Sequence, residues 1–278
     1  MNTLTQLIER YRTSPKVKQI AEILEKNDAP ARLQLNGLMG AQESFVLTGT
    51  YMNAPQPYLI VAIDKDEAAY LQNDLQNLLT TKTIHYLPDS FKRPTYFEEI
   101  NSNNVLQRTE VINKLAQSTA QGEIIVTYPE ALFEKVVAPQ YLEEKRITIA
   151  VGENLDVDFM CELMIEFGFL RVDFVYSPGQ FSIRGGIVDV YSYGNEYPYR
   201  IELFDVEVES IRTFDPTTQL SQQKIRSVNI VPNINTRFDR SQKTSILSIL
   251  PQNTVIFTHD FQNLIDRLQI CLDRKSVV

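Results

Sequence analysis

The chain has little to offer a metal ion. Its 278 residues include only Cys161, Cys271, His85 and His259 of the soft and imidazole ligands, and no CxxC pair. A zinc site of the usual Cys/His kind cannot be assembled from one such chain, so no metal is expected. Two isolated cysteines suit a reducing compartment, although two would suffice for one bridge. Long apolar runs are also missing. None approaches the roughly 20 residues that span a bilayer, and Met1 to Arg12 is polar and helical in pattern, without a signal-peptide core. A cytoplasmic location away from membranes is expected. Positive charge is in deficit as well: 27 Lys and Arg stand against 35 Asp and Glu, a net charge of -8. Nucleic-acid binders usually present a basic surface, so bare DNA is a poor first partner, although a local basic patch is compatible with this balance.

What is present is ordinary globular material, 43% hydrophobic and 22% charged, in a chain long enough to bury about three quarters of its unfolded surface. No internal repeat or low-complexity segment interrupts it. Met1 to Arg12 is followed by Ser14-Pro15, a capping hydroxyl before a proline at the first helical position, and by apolar residues at helical spacing from Val17 to Leu24. From Arg32 to about Glu130, short apolar runs alternate with amphipathic stretches. The strand candidates are Leu33 to Leu35, Tyr58 to Ile63, Thr83 to Leu87 and Glu123 to Thr127, and the helix candidates are Ala41 to Tyr51, Lys65 to Leu79 and Val105 to Gln117. That alternation predicts a mainly parallel α/β sheet. After Pro139 the grammar changes. A helix over Glu153 to Phe167 precedes closely spaced strands at Arg171 to Tyr176, Gln180 to Arg184, Ile187 to Tyr191, Tyr199 to Phe204 and Val206 to Thr213, joined by turn-rich connectors. The fold class is therefore α/β: a mainly parallel lobe with an inserted antiparallel α+β domain. Asp215-Pro216 closes the insertion, and Thr254 to Thr258 and Phe261 to Leu272 return to strand and helix. The boundaries are 1–129 for the first part of the lobe, 130–216 for the insertion and 217–278 for the second part.

The octet Gly37 to Ser44 (GLMGAQES) has the outline of a phosphate loop between a strand and a helix. A working P-loop carries Gly and Lys at its sixth and seventh positions, and here they are Gln42 and Glu43. The lysine ammonium normally meets the β- and γ-phosphates while backbone amides wrap them. A carboxylate there exchanges attraction for repulsion, at roughly 4 kcal/mol per charge pair for 4 Å and an effective dielectric near 20. Gly37, Gly40, Gln42, Glu43 and Ser44 thus fit either a degenerate nucleotide site or an unrelated turn with chance glycines. Both readings disfavour hydrolysis, and no cofactor or catalytic residue is assigned.

The stretch Ser177 to Tyr191 (SPGQFSIRGGIVDVY), with Tyr199 to Asp205 (YRIELFD) and Ser210 to Asp215 (SIRTFD), is long and specific. It closely resembles the module shared by the bacterial excision-repair protein UvrB and the transcription-repair coupling factors, Mfd. The resemblance covers nearly the whole chain and is strongest from Gly168 to Pro216. It implies that the octet is a relic, since UvrB keeps an intact P-loop there and Mfd an eroded one. It also implies that this chain is the N-terminal UvrB-like module of a coupling factor. Such a module docks on UvrA, the damage-recognition ATPase, and brings excision repair to a stalled RNA polymerase. RNA polymerase and DNA would be engaged only through other domains of the full-length ATP-dependent translocase. His85 to Ile100 is too short for the strand-separating hairpin of UvrB, and Thr258-His259-Asp260 stands where an ATPase of this family has Asp-Glu.

Carried over residue by residue, the resemblance places Arg171 and Arg184 on two UvrB arginines used in the UvrA contact, and Ser182 where UvrB has a third. The residues themselves suggest two guanidinium forks on one face of a small sheet, with Phe181 or Tyr176 as an apolar anchor beside them. The alternative is that each arginine pairs with a local carboxylate such as Asp173 or Asp189. Gly185-Gly186 supplies a tight turn or bulge beside Arg184. His85 reads as a packed strand residue, His259 and Asp260 as a strand end and helix cap, and Cys161 as core. The rival functions are a residual ATPase and a nucleic-acid-binding module, the latter marked by a steep salt dependence on bare duplex. A titration of the chain with ATP should return no saturable binding in the micromolar range; micromolar affinity would contradict the reading of Glu43.

Overall fold

Short apolar runs between amphipathic stretches fold as the alternation predicts. The computed structural model describes residues 3–26, 31–93, 96–100, 102–116, 122–193, 195, 197–233 and 240–275. The chain runs α1 (Thr3–Arg12), α2 (Pro15–Glu25), α3 (Gln42–Asn53), β1 (Tyr58–Val61), α4 (Lys65–Leu78), β2 (Ile84–Tyr86), β3 (Phe91–Arg93), β4 (Tyr96–Ile100), α5 (Ser102–Ala116) and β5 (Ile124–Thr127). It continues with α6 (Pro129–Phe133), β6 (Val136–Val137), α7 (Pro139–Glu144), β7 (Ile147–Ala150), α8 (Val157–Glu166), β8 (Leu170–Arg171), β9 (Gln180–Arg184) and β10 (Ile187–Tyr191). The last elements are β11 (Tyr199–Phe204), β12 (Glu207–Phe214), β13 (Ser221–Ile225), β14 (Ser227–Ile230), β15 (Lys243–Thr244), β16 (Val255–Thr258) and α9 (Phe261–Lys275). Two compact units result. One comprises Met1–Pro88, Gln117–Phe133 and Leu250–Val278, and the other Asp89–Ala116 and Glu134–Ile249.

The first unit is built on a parallel sheet in the order β16-β1-β5-β2. Both β1 and β5 are buried along their whole length, as strands covered on two faces must be. Helix α3 is buried nearly all round from Ser44 to Tyr51, so it is a core helix rather than an amphipathic one. Gly49 allows its neighbours close: a Cβ there would lie 3.2 Å from the Arg12 backbone nitrogen and from Val17 Cγ1. Helix α4 begins with a reciprocal cap, in which Asp64 accepts from the Glu67 N–H and Glu67 accepts from the Ile63 N–H at 2.6 Å. The expected strand at Leu33 to Leu35 does not form. Residues 31–39 carry no regular structure, and both edges of β1 are already paired with β16 and β5, so no ladder position beside it remains.

The second unit centres on a six-stranded sheet in the order β13-β12-β11-β10-β9-β8. Strands β9 to β13 are antiparallel neighbours, whereas β8 runs parallel to β9. Of the expected strand Arg171 to Tyr176 only Arg171 is in a strand, as the second residue of β8. Parallel neighbours require the chain to cross back over the sheet, and Val172 to Gly179 makes that crossing. Nor does the sheet end at Asp215-Pro216. The Asp215 carboxylate accepts from the N–H groups of Thr217 and Thr218, both at 2.8 Å, which turns the chain into β13. These bonds hold its pKa below the ordinary aspartate value. Beyond it, β14 pairs with β7.

Gly179 closes the crossing with φ +81°, and a Cβ at this position would run into the Tyr193 ring. Gly179→Ala should therefore lower stability by about 1–3 kcal/mol, read as a reduced urea midpoint with an unchanged m-value.

Candidate partner-docking face

Alternate residues of β9 point to one face of the sheet, and all three of Gln180, Ser182 and Arg184 hold the crossing segment. The Gln180 side-chain oxygen accepts from the N–H groups of Tyr176 at 2.9 Å and Ser177 at 3.0 Å. Ser182 Oγ donates to the Asp173 carbonyl at 2.9 Å. The Arg184 guanidinium lies over the Phe174 ring, 4.6 Å from its centroid. Val175 is driven inward against Tyr191 and Phe214, so its neighbours Phe174 and Tyr176 are left facing solvent at 49% and 56% exposure. The product is an exposed aromatic pair with an arginine laid across one member.

Beneath it is a fully buried carboxylate. Asp189 sits in the middle of β10, opposite Ser182 of β9 and Arg200 of β11. Arg200 grips it with a fork, Nε to Oδ1 at 2.8 Å and Nη2 to Oδ2 at 2.9 Å, while Arg184 Nη2 donates to Oδ2 at 2.6 Å. Arg200 also donates to the Gln219 carbonyl at 3.1 Å and covers the Phe214 ring at 4.5 Å. Its hydrogen bonds to Asp189 raise its pKa further above the ordinary arginine value, against the opposing effect of burial. Arg184 keeps 36% of its side chain exposed. One of its five donors is spent on Asp189, and the half-buried guanidinium still reaches solvent.

Three sequence expectations change at this point. Arg171 stands beside Phe181 in the parallel β8–β9 register, whereas Arg184, three residues beyond Phe181, has the opposite parity. The two arginines thus project from opposite faces, and Arg171 Nη1 approaches Cys161 Sγ of α8 at 3.8 Å. Phe181 cannot anchor a partner because it is wholly buried beside Val190. Ser182 is equally buried and its hydroxyl is committed to Asp173. The alternative of a local ion pair holds for Arg184 with Asp189. Tyr176, the other proposed anchor, is exposed, and Phe174 joins it. Gly185, at φ +59°, turns β9 into β10, and a Cβ on Gly186 would meet the Leu203 carbonyl at 2.8 Å.

The octet in the first unit has been put to other uses. Gly37 and Gly40 keep positive φ values of 81° and 53°. The Gln42 side chain accepts from the Met39 N–H at 3.0 Å, Glu43 Oε2 meets His259 Nδ1 at 3.1 Å, and buried Ser44 donates to Asp74 at 3.1 Å. Each side chain that would face a nucleotide phosphate or its metal is engaged with protein. His85 is buried and pairs with Glu123 at 2.9 Å, and Asp260 caps α9 through the N–H groups of Gln262 and Asn263. Among the described residues, no helix is long and apolar enough to cross a membrane.

Residues 147–235, from β7 through β14, match the UvrB interaction domain family. The docking face and its sheet fall inside that span, which sets the class of the chain: a protein carrying a UvrB interaction domain. The chain is similar to the transcription-repair-coupling factor of Bacillus subtilis, with 32% identity over 199 residues, 71% of this chain and 17% of that protein. It is likewise similar to those of Myxococcus xanthus (28% over 223 residues, 77% and 18%) and Staphylococcus aureus strain Mu50 (30% over 201 residues, 72% and 17%). Together these matches support, within that class, an N-terminal module of the transcription-repair-coupling factor, Mfd. The chain spans about a sixth of the length of these curated relatives.

Removing Asp189 would strip the largely buried Arg200 of its counter-charge and Arg184 of its ion pair. Asp189→Ala should destabilise the second unit by about 3–5 kcal/mol, measured by chemical denaturation.

Proposed function

We propose that this chain is the repair-recruiting module of a transcription-repair coupling factor, docking on UvrA through the face formed by Arg184, Phe174 and Tyr176. The observation that carries this reading is an arginine already oriented by a buried carboxylate, beside two exposed aromatic rings, inside the span that matches the UvrB interaction domain. Arginine and aromatic side chains dominate binding energy at protein interfaces, and an arginine held in place loses less freedom on binding. Arg171 lies on the other side of the sheet edge and would contribute at the rim. The module performs no chemistry of its own. Glu43, at the position of the phosphate-binding lysine, repels a triphosphate, and Gln42 and Ser44 are occupied elsewhere. Polymerase displacement and DNA translocation would belong to other parts of the full-length protein.

Calorimetric titration of UvrA with the chain tests the proposal. Saturable binding is expected, and Arg184→Glu should weaken it by at least ~30-fold, the loss of about 2 kcal/mol that marks a central contact. Phe174→Ala should weaken it comparably and Arg171→Glu less. Unaltered affinity in folded Arg184→Glu and Phe174→Ala proteins would remove this face from the interaction.

A further inference from the structure

Away from the docking face, three side chains from distant parts of the sequence converge at one edge of the parallel sheet. Glu43 lies in the first turn of α3, Glu67 in the first turn of α4 just after β1, and His259 directly after β16. Strands β1 and β16 are parallel neighbours, so Glu67 and His259 both emerge at the carboxyl ends of the strands, the edge at which α/β sheets bind ligands. We propose that Glu43, Glu67 and His259 form a binding site for a divalent transition-metal ion of the zinc class.

The geometry suits such an ion. His259 Nδ1 lies 3.1 Å from Glu43 Oε2 and 3.9 Å from Glu67 Oε1, and the ligand atoms of all three residues fall within 4.8 Å of one another. Zinc bound at about 2.1 Å to each of them needs ligand separations of about 3–3.4 Å. Of the three separations, His259–Glu43 is already there, while His259–Glu67 at 3.9 Å and Glu43–Glu67, within 4.8 Å, close by rotation of the imidazole and the glutamate side chains. The remaining oxygen of Glu67 is fixed by the Ile63 N–H at 2.6 Å, an outer contact that orients a ligating carboxylate. Coordination through Nδ1 places the imidazole proton on Nε2, on a ring 45% exposed, where solvent can accept its hydrogen bond.

Charge points the same way. Among the described residues, Glu43 and Glu67 have no Lys or Arg ion-pair partner, and the only group set between them is one imidazole. Two carboxylates facing one ring are complemented by a +2 ion. One nitrogen and two carboxylate oxygens are a donor set for zinc or manganese and too few oxygens for calcium. The substitution that makes the octet hostile to phosphate is thus the one that makes this edge receptive to a cation. Because the ligands come from residues 43, 67 and 259, a bound ion would tie α3, α4 and β16 together, and its binding energy would stabilise the first unit.

The test is calorimetric titration of the intact chain with ZnCl2, alongside thermal unfolding with and without the ion. Wild type should bind one ion and unfold at a higher temperature when it is present. His259→Ala should bind about tenfold more weakly or worse, with its melting temperature no longer responding to zinc, and Glu43→Gln should show the same loss. Cobalt in place of zinc should give visible bands without thiolate charge transfer. Affinity unchanged in folded His259→Ala, or a thiolate signature, would place the ion on Cys161 or Cys271 and overturn the proposal. So would the absence of binding to wild type, which would leave the cluster a contact between imidazole and carboxylates.

Discussion

A carboxylate cannot be buried in a sheet without positive charge beside it, and the pairing of Asp189 with two arginines governs the docking face. Burying such a group costs several kcal/mol, which is recovered only when the charge is paired and its oxygens are hydrogen-bonded. Asp189 lies on β10, so the strands on either side each supply a guanidinium. Arg200 takes both oxygens and is itself fixed by Gln219 and Phe214. Arg184 is left with one bond to Oδ2 and with Phe174 as its only platform. Buried ion pairs are often no more stable than an apolar replacement; what this one does visibly is hold the half-buried Arg184 in one pose.

The same logic, applied to different side chains, describes the octet Gly37 to Ser44, which has the outline of a phosphate loop. Its glycines still adopt the left-handed backbone of a phosphate cradle, but a cradle attracts phosphate only if its charges are right. With Glu43 at the lysine position, the local field favours cations. Ser44, in a position where a hydroxyl would reach a nucleotide's metal, instead reaches α4 through Asp74. Packing holds α3, which is buried from Ser44 to Tyr51, whereas Gly37 and Gly40 are exposed and a Cβ on either would meet no neighbouring group.

Much of this was legible along the chain. Strands β9, β10 and β11 have the expected limits, with Gly185-Gly186 marking the first hairpin, whereas the next turn takes Val206 out of the expected strand and β12 begins at Glu207. What the linear pattern hides is parity across a crossover. Arg171 and Arg184 are separated by a segment that reverses over the sheet, and only the β8–β9 register assigns their faces. Ser182 and Phe181 were misleading for a related reason: alternation identifies two faces but not what covers each, and here both are covered. Strand β13 (SQQKI) has no apolar alternation because it is an exposed edge, so its pairing was invisible. The Glu43–His259 contact joins residues 216 positions apart, beyond any local signal.

The arrangement also constrains how a partner is captured. A chain with net charge -8 does not draw an acidic surface to itself over long distances, and beyond a Debye length of about 8 Å physiological salt screens what attraction Arg184 offers. If a partner docks at this face as proposed, recognition depends on what happens after contact. On the proposed docking, covering Phe174 and Tyr176 would lower the local dielectric and strengthen the hold of the guanidinium over Phe174 on a carboxylate or carbonyl. Asp189 would weaken that hold by competing for the same group, but it also fixes where the group sits. The face thus exchanges some binding strength for an arginine that is in position before the partner arrives, and selectivity rests on whether a partner can cover both rings while presenting an acceptor to the arginine.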